Sequence, residues 1–210
     1  MSSGWLTRAL EESRARGYLG PGPIQGQVGH SAAFAEAWEA AYGDPPSRFL
    51  DLGSGGGLPG LYLLDRWRGR TEAVLLDAMS KRTEFLEETL GFPEAPSGAT
   101  VVTQRAEEAA WRADLSGVFD LVTARSFGPP AAVAECACRF LRLGGVLLVS
   151  DPPDAAKAEL RWDDDGLALL GLESRGVGAG SAAIRLIVKL AGTPDRYPRR
   201  NGVPRKKPLF

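Results

Sequence analysis

The stretch Asp51-Leu52-Gly53-Ser54-Gly55-Gly56-Gly57-Leu58-Pro59-Gly60 sets glycines directly after the apolar run Phe49-Leu50. Glycines placed so let the backbone turn tightly and let a ligand come close without a Cβ in the way. A Walker loop would put Gly-Lys-Ser/Thr at the helix start; Leu58-Pro59-Gly60 stands there instead, which argues against ATP or GTP hydrolysis. Gly55-x-Gly57-x-x-Gly60 also fits the dinucleotide fingerprint. A second apolar run ends in Leu75-Leu76-Asp77, about 20 residues beyond the loop, where a carboxylate accepts the hydroxyl hydrogens of an adenosine ribose. That position serves NAD and S-adenosylmethionine equally. Asp51 tips the balance to S-adenosylmethionine, because a carboxylate before the glycines suits the ammonium of a methionine moiety and suits a pyrophosphate badly. Arg105-Ala106-Glu107 follows a third run, where an adenine would lie. Each residue also has a plainer role: Asp77 as a helix N-cap in competition with Ser80, Leu58 as core, Glu107 as a first-turn acid.

Elements that place residues in this way are read from periodicity. From Arg48, apolar runs of strand length alternate with amphipathic segments: RFLDLG then LPGLYLLDRW, AVLLDA then KRTEFLEETL, TVVTQ then EEAAWR, DLVTAR then PPAAVAECACRFL, GGVLLVS then a helix from about Asp154. This alternation predicts an α/β fold of βαβ units on a mainly parallel central sheet. LALLGLESRGVG and AAIRLIVKL predict a closing antiparallel hairpin. Residues 1–46 read as a helical N-terminal appendage with a Gly/Pro-rich stretch, Gly17 to Gly29, before a helix from about Ser31 to Tyr42. Residues 47–192 form the main domain and 193–210 a basic, Pro-rich tail.

A chain of 210 residues, 44% hydrophobic, can bury one core without staples. No run reaches the roughly 20 apolar residues of a membrane helix, and the start reads as no signal peptide, so a cytoplasmic protein is expected. Cys136 and Cys138 read as structural thiols; with one His in the chain no zinc quartet can form and no metal is expected. The net charge of −1 hides an asymmetry. All six basic residues after Asp195 come without an acid, leaving 19 bases against 26 acids before them. The tail is an electrostatic arm for RNA phosphates, through Arg199, Arg200, Arg205, Lys206 and Lys207, or a strap on the acidic body.

These residues together resemble the RsmG/GidB family of S-adenosylmethionine-dependent methyltransferases, which act on guanine N7 in 16S ribosomal RNA. The likeness lies in Asp51-Leu-Gly-Ser-Gly-x-Gly-Leu-Pro-Gly60, Leu76-Asp77-Ala-Met-Ser-Lys81-Arg82, Arg105-Ala106-Glu107-Glu108, Thr123-Ala124-Arg125-Ser126-Phe127 and the tail from Thr193 to Pro208. The resemblance implies a class I methyltransferase (Rossmann-like) fold. Its cofactor contacts are Gly53 and Leu58 within the loop that also carries Ser54, Gly55 and Gly57, then Ala106, Glu107 and Arg125, with Asp77 on the ribose. It further implies the small ribosomal subunit as partner. No general base is implied, because guanine N7 carries a lone pair and no proton; Arg125 is the candidate for positioning. Two departures, the lack of the family's N-terminal Asn-Leu-Thr and His-x-x-Asp-Ser motifs and Ser150-Asp151-Pro152-Pro153 where Lys-Gly is common, keep a small nitrogen heterocycle open as the acceptor and, in another class, a non-catalytic RNA-binding factor.

Overall fold

The structure is a computed structural model that describes residues 3–152, 154, 161–178 and 181–210. Helices α1 (Gly4–Ala15) and α2 (Ile24–Tyr42) precede β1 (Arg48–Leu52), α3 (Gly60–Arg66), β2 (Glu72–Asp77), α4 (Ser80–Leu90), β3 (Ala99–Thr103) and α5 (Ala106–Ala109). Then come β4 (Phe119–Ala124), α6 (Pro130–Ala137), β5 (Leu141–Ser150), α7 (Asp164–Ala168), β6 (Leu172–Gly178), β7 (Ile184–Lys189) and α8 (Val203–Lys206). The sheet order is β3-β2-β1-β4-β5-β7-β6. β1 to β5 run parallel, and β7 pairs antiparallel with both β5 and β6, so the expected closing hairpin is present. Among the described residues no helix is long and apolar enough to cross a membrane.

Strand alternation sorts the core into two layers. Leu50, Leu52, Leu76, Val122 and Leu147 face α5, α6 and α7, while Phe49, Leu75, Leu121 and Leu148 face α1 to α4. The described part of the stretch 1–46 read as an appendage, residues 3–46, packs onto that second layer: Trp5, Phe34 and Trp38 are buried in it. The Trp5 indole N–H donates to the Thr89 carbonyl at 3.0 Å. α2 starts at Ile24 and not near Ser31, because extended Pro23 opens it and the Gln27 amide donates back to Gly20 O at 2.7 Å. The stretch read as strand LALLGL begins as α7, which the Asp163 carboxylate caps by accepting Gly166 N–H at 2.6 Å and which left-handed Gly171 follows. The helix expected from about Asp154 lies outside the described residues.

The tail lies on the body. The carboxylate of Glu135 in α6, fully buried, accepts Arg199 main-chain N–H at 2.8 Å, Nε at 2.9 Å and Nη2 at 2.6 Å. Tyr197 is buried in the core, its carbonyl taken by Arg139 Nε at 2.7 Å, and Phe210 covers Gly166 so closely that no Cβ would fit there. Arg199, expected on RNA, is thus a structural residue. Replacing it by Ala strands a buried carboxylate and should lower the unfolding free energy by about 3–5 kcal/mol. The urea midpoint at pH 7 reads this loss; a loss of less than about 1 kcal/mol, the size of an exposed pair, would contradict the assignment.

Candidate active site

Parallel strands of an open sheet bind ligands beyond their carboxyl ends, where the strand order reverses. Here the reversal lies between β1 and β4. After Leu52 the backbone turns through Gly53 at φ +74°, and Gly53 and Ser54 N–H donate to Leu76 O at 2.8 and 3.0 Å, fastening the loop to β2. A Cβ on Gly53 would lie 2.6 Å from the Phe127 ring, so a side chain is excluded by both conformation and space. Gly56 is pressed from the other side: Ser13 Oγ donates to its carbonyl at 2.8 Å, and a Cβ would meet Tyr18 O at 2.7 Å.

Asp51 does not face the ligand cleft, contrary to the expectation that it would receive an ammonium. Alternation turns it toward the α3 side, where Oδ2 accepts Gly60 N–H at 3.0 Å and Oδ1 accepts Thr123 Oγ–H at 2.8 Å. Both oxygens therefore have internal donors. Burial pushes its carboxyl up to about 6, against the opposing pull of Thr123, Gly60, Ser54 and the Arg125 charge. Asp151, read as an acid near the substrate mouth, is likewise internal: Arg185 Nε lies 2.6 Å away, both side chains are fully buried, and the Trp162 indole donates to it at 3.0 Å.

The main cleft holds about 310 Å³, the lower end of ligand-pocket size. Gly53, Asp77, Ala106 and Glu107 meet there. Asp77 lines the cleft and joins the glycine turn to the start of α4, whose N-cap position is taken by Met79 and neither by Asp77 nor by Ser80. Oδ1 accepts Met79 N–H at 2.9 Å at the start of α4, and Oδ2 accepts Gly55 N–H at 2.9 Å with Arg82 Nη1 at 3.5 Å. Glu107 Oε1 accepts Gly202 N–H at 2.8 Å, so the tail builds the opposite wall with Pro204 and Arg205. Arg82 Nε is buried here without a hydrogen-bond partner among the described residues.

A second hollow of about 230 Å³ shares Gly53, Arg82 and Ser126 with the cleft and adds Ser54, Gly55, Leu58 and Arg125. Leu58 is also part of the α1–α4 core layer. Gly57 lines neither space; a Cβ there would strike Leu61. The Arg125 guanidinium is held from α2: Nη2 donates to Gln27 Oε1 at 2.8 Å and Nη1 to Ser31 Oγ at 3.3 Å. Burial lowers its pKa and Asp51 raises it. His30 beside it is kept below its ordinary value, by burial first and by Arg125 second. Ser126 holds a left-handed φ of 57° between the two spaces, a strained conformation for a non-glycine residue at a site. Sequence reading did not find Ser13, Tyr18, Gln27 or Ser31, because hydrophobic periodicity carries no signal for polar residues whose partners lie far away in the chain.

The cleft suits a nucleoside. It offers carboxylates at Asp77 and Glu107 as acceptors for hydroxyl and amino hydrogens, apolar walls at Ala106 and Phe127, and no Walker lysine. Residues 30–187 match the family GidB, described as rRNA small subunit methyltransferase G. A curated relative named ribosomal RNA small subunit methyltransferase G from Symbiobacterium thermophilum is 31% identical, over 89% of this chain and 80% of its own length. One of the same name from Roseiflexus castenholzii is 31% identical over 81% and 74%. The fold is shared with cofactor-bound Rv0187 from MTB (21% identity, 89% of this chain and 90% of that one, TM-score 0.57). It is also shared with the antibiotic-resistance methyltransferase Kmr (18% identity, 76% and 93%, TM-score 0.54).

The raised carboxyl of Asp51 sets a pH dependence. Its folded-state value of about 6 lies above the ordinary 3.8, so the folded protein holds this proton more tightly than the unfolded chain. The stability it contributes is full below about pH 4 and is lost as pH rises to about 6, on the order of 3 kcal/mol. The difference in urea midpoint between the protein and Asp51→Asn should therefore change across pH 4–6 and stay constant above it; a difference independent of pH would disprove the burial effect.

Proposed function

The chain belongs to the GidB family, rRNA small subunit methyltransferase G, and on that premise we propose that it transfers a methyl group from S-adenosylmethionine to N7 of a guanine in 16S ribosomal RNA. The observation that carries this reading is the cleft itself. Asp77 and Glu107 stand at its two ends, with the glycine turn between β1 and α3 beside them. When bound, S-adenosylmethionine supplies an electrophilic methyl group on a sulfonium.

The residues present fit that ligand. Asp77 accepts ribose hydroxyl hydrogens, and the partnerless Arg82 Nε is a buried donor for a ligand oxygen in the same wall. Glu107 keeps one carboxylate oxygen on the tail and has the other for an adenine amino group. Phe127 covers Gly53 and keeps water from the turn. Arg125, fixed by Gln27 and Ser31, presents a rigid cation beside the glycine turn, suited to the oxygen of the incoming guanine. Guanine N7 has a free lone pair, so no side chain needs to remove a proton, and the residues act by alignment. The burial of Asp151 with Arg185 removes the acidic substrate mouth that favoured a small heterocycle as acceptor.

Labelled S-adenosylmethionine incubated with small subunits lacking the modification should label the RNA; transfer to no RNA form would overturn the reading. Asp77→Asn loses the charge and keeps one acceptor oxygen, enough for Met79 or for Gly55 but not for both. It should weaken S-adenosylmethionine binding about 10- to 100-fold in calorimetry, the range of a hydrogen bond to a charged group. Unchanged binding would remove Asp77 from the site.

A further inference from the structure

Resting on RNA as the substrate, we infer that the groove between α5 and the tail binds a single-stranded segment of that RNA, with Trp111 as the platform on which one base stacks. The groove holds about 720 Å³ and is lined by Trp111, Arg196, Pro198, Arg200 and Asn201. It abuts the cofactor cleft, since Glu107 lines both.

Three observations identify the occupant. Trp111 is 48% exposed, whereas the other four tryptophans are buried. Arg139 lies over its ring, Cζ 3.9 Å from the centroid, and is itself fixed by Tyr197 O and Pro194 O. One face of the indole is thus braced by a cation and the ring is left partly open, the arrangement on which bases stack without sequence preference.

The charges point the same way. On the body, most exposed arginines are matched to acids, among them Arg8 to Glu94, Arg66 to Glu39, Arg70 to Asp44 and Arg112 to Asp114, while Arg14 and Arg105 have no ion pair among the described residues. In the tail, Arg196, Arg200, Arg205, Lys206 and Lys207 are exposed, and none has an ion pair among the described residues. The acids of the groove are engaged, Glu107 by Gly202 N–H and Glu108 by Asn201 Nδ2. Asp195, fully exposed, lies 3.6 Å from Arg139. A polyanion with flat bases satisfies both the unmatched cations and the open ring. Phosphates set the position and stacking holds one base, while Arg205 in the wall of the adjoining cleft draws the strand toward it.

Titrating the protein with an oligouridylate of about 12 nucleotides should quench tryptophan fluorescence, and Trp111→Phe should abolish the quench. Arg196→Gln with Arg200→Gln should weaken binding about tenfold and reduce the slope of log affinity against log salt by about 1.4, two phosphate contacts on a single strand. S-adenosylmethionine binding and the melting temperature should stay unchanged in all variants. An undiminished quench in Trp111→Phe, an unchanged salt slope, or equal affinity for a polyglutamate peptide overturns the groove. If the unaltered protein methylates small-subunit RNA and the variants do so equally well, the groove fails and the methyltransferase reading stands. If the unaltered protein shows the quench and methylates no RNA, the methyltransferase reading fails and the groove stands.

Discussion

A carboxylate without water joins the two halves of the site. Asp51 accepts one hydrogen bond from the backbone at the start of α3 and one from Thr123 on β4, two residues before Arg125. The first fixes how far the glycine turn extends; the second fixes the strand that carries the cation. A buried carboxylate is held only while both donors stay in place, since losing either exposes the full desolvation cost of an unmatched acceptor. The turn, the start of the helix and the end of the neighbouring strand are thereby held as one body, and Gly53, Ser126 and Phe127 take their positions from it.

The sheet was legible because its strands are apolar runs of the right length separated by amphipathic segments, and the crossover rules leave few arrangements for such a series. The position of Asp77 was legible for a related reason: it is last on β2, a place that counting residues locates, and that end opens into the cleft. Asp51 was not. Its partner Thr123 is 72 residues away, so nothing local distinguishes an acid that receives a ligand from one that receives a threonine. Asp151 misled in the same manner, with its neutralising Arg185 34 residues downstream. The N-terminal helices were found as helices, but the buried faces of Trp5, Phe34 and Trp38 required the sheet to be in place before their destination could be seen. The motif containing Arg125 showed the cation; of the residues that orient it, Gln27 sits in a stretch whose composition suggests a loop and Ser31 at the expected start of a helix, 94 residues away in sequence.

Charge is arranged in two ways on this protein. Within the body, most exposed arginines are matched to acids at contact distance, and acids remain in excess. Along the tail, Arg199 alone is spent on the fold, in its bond to Glu135, and that bond holds the remaining cations at the surface. The residue that anchors the tail thereby determines where its other cations are displayed. The near-zero net charge says little about partners, because it averages an acidic body, with 19 bases against 26 acids, and a tail whose six bases stand without an acid.

Both spaces at the strand ends draw walls from remote parts of the chain: Tyr18 and Gln27 near its beginning, Gly202, Pro204 and Arg205 near its end. A nascent polypeptide thus cannot complete this site while it is still being translated through the sheet. β1 to β4 can pair once about 124 residues have emerged, yet the cleft gains its last wall only when residue 205 arrives and Arg199 finds Glu135. A chain clipped within the tail would keep most of its sheet and lose the wall beside Glu107. Completion of the cleft is in this way tied to the tail as much as to the sheet.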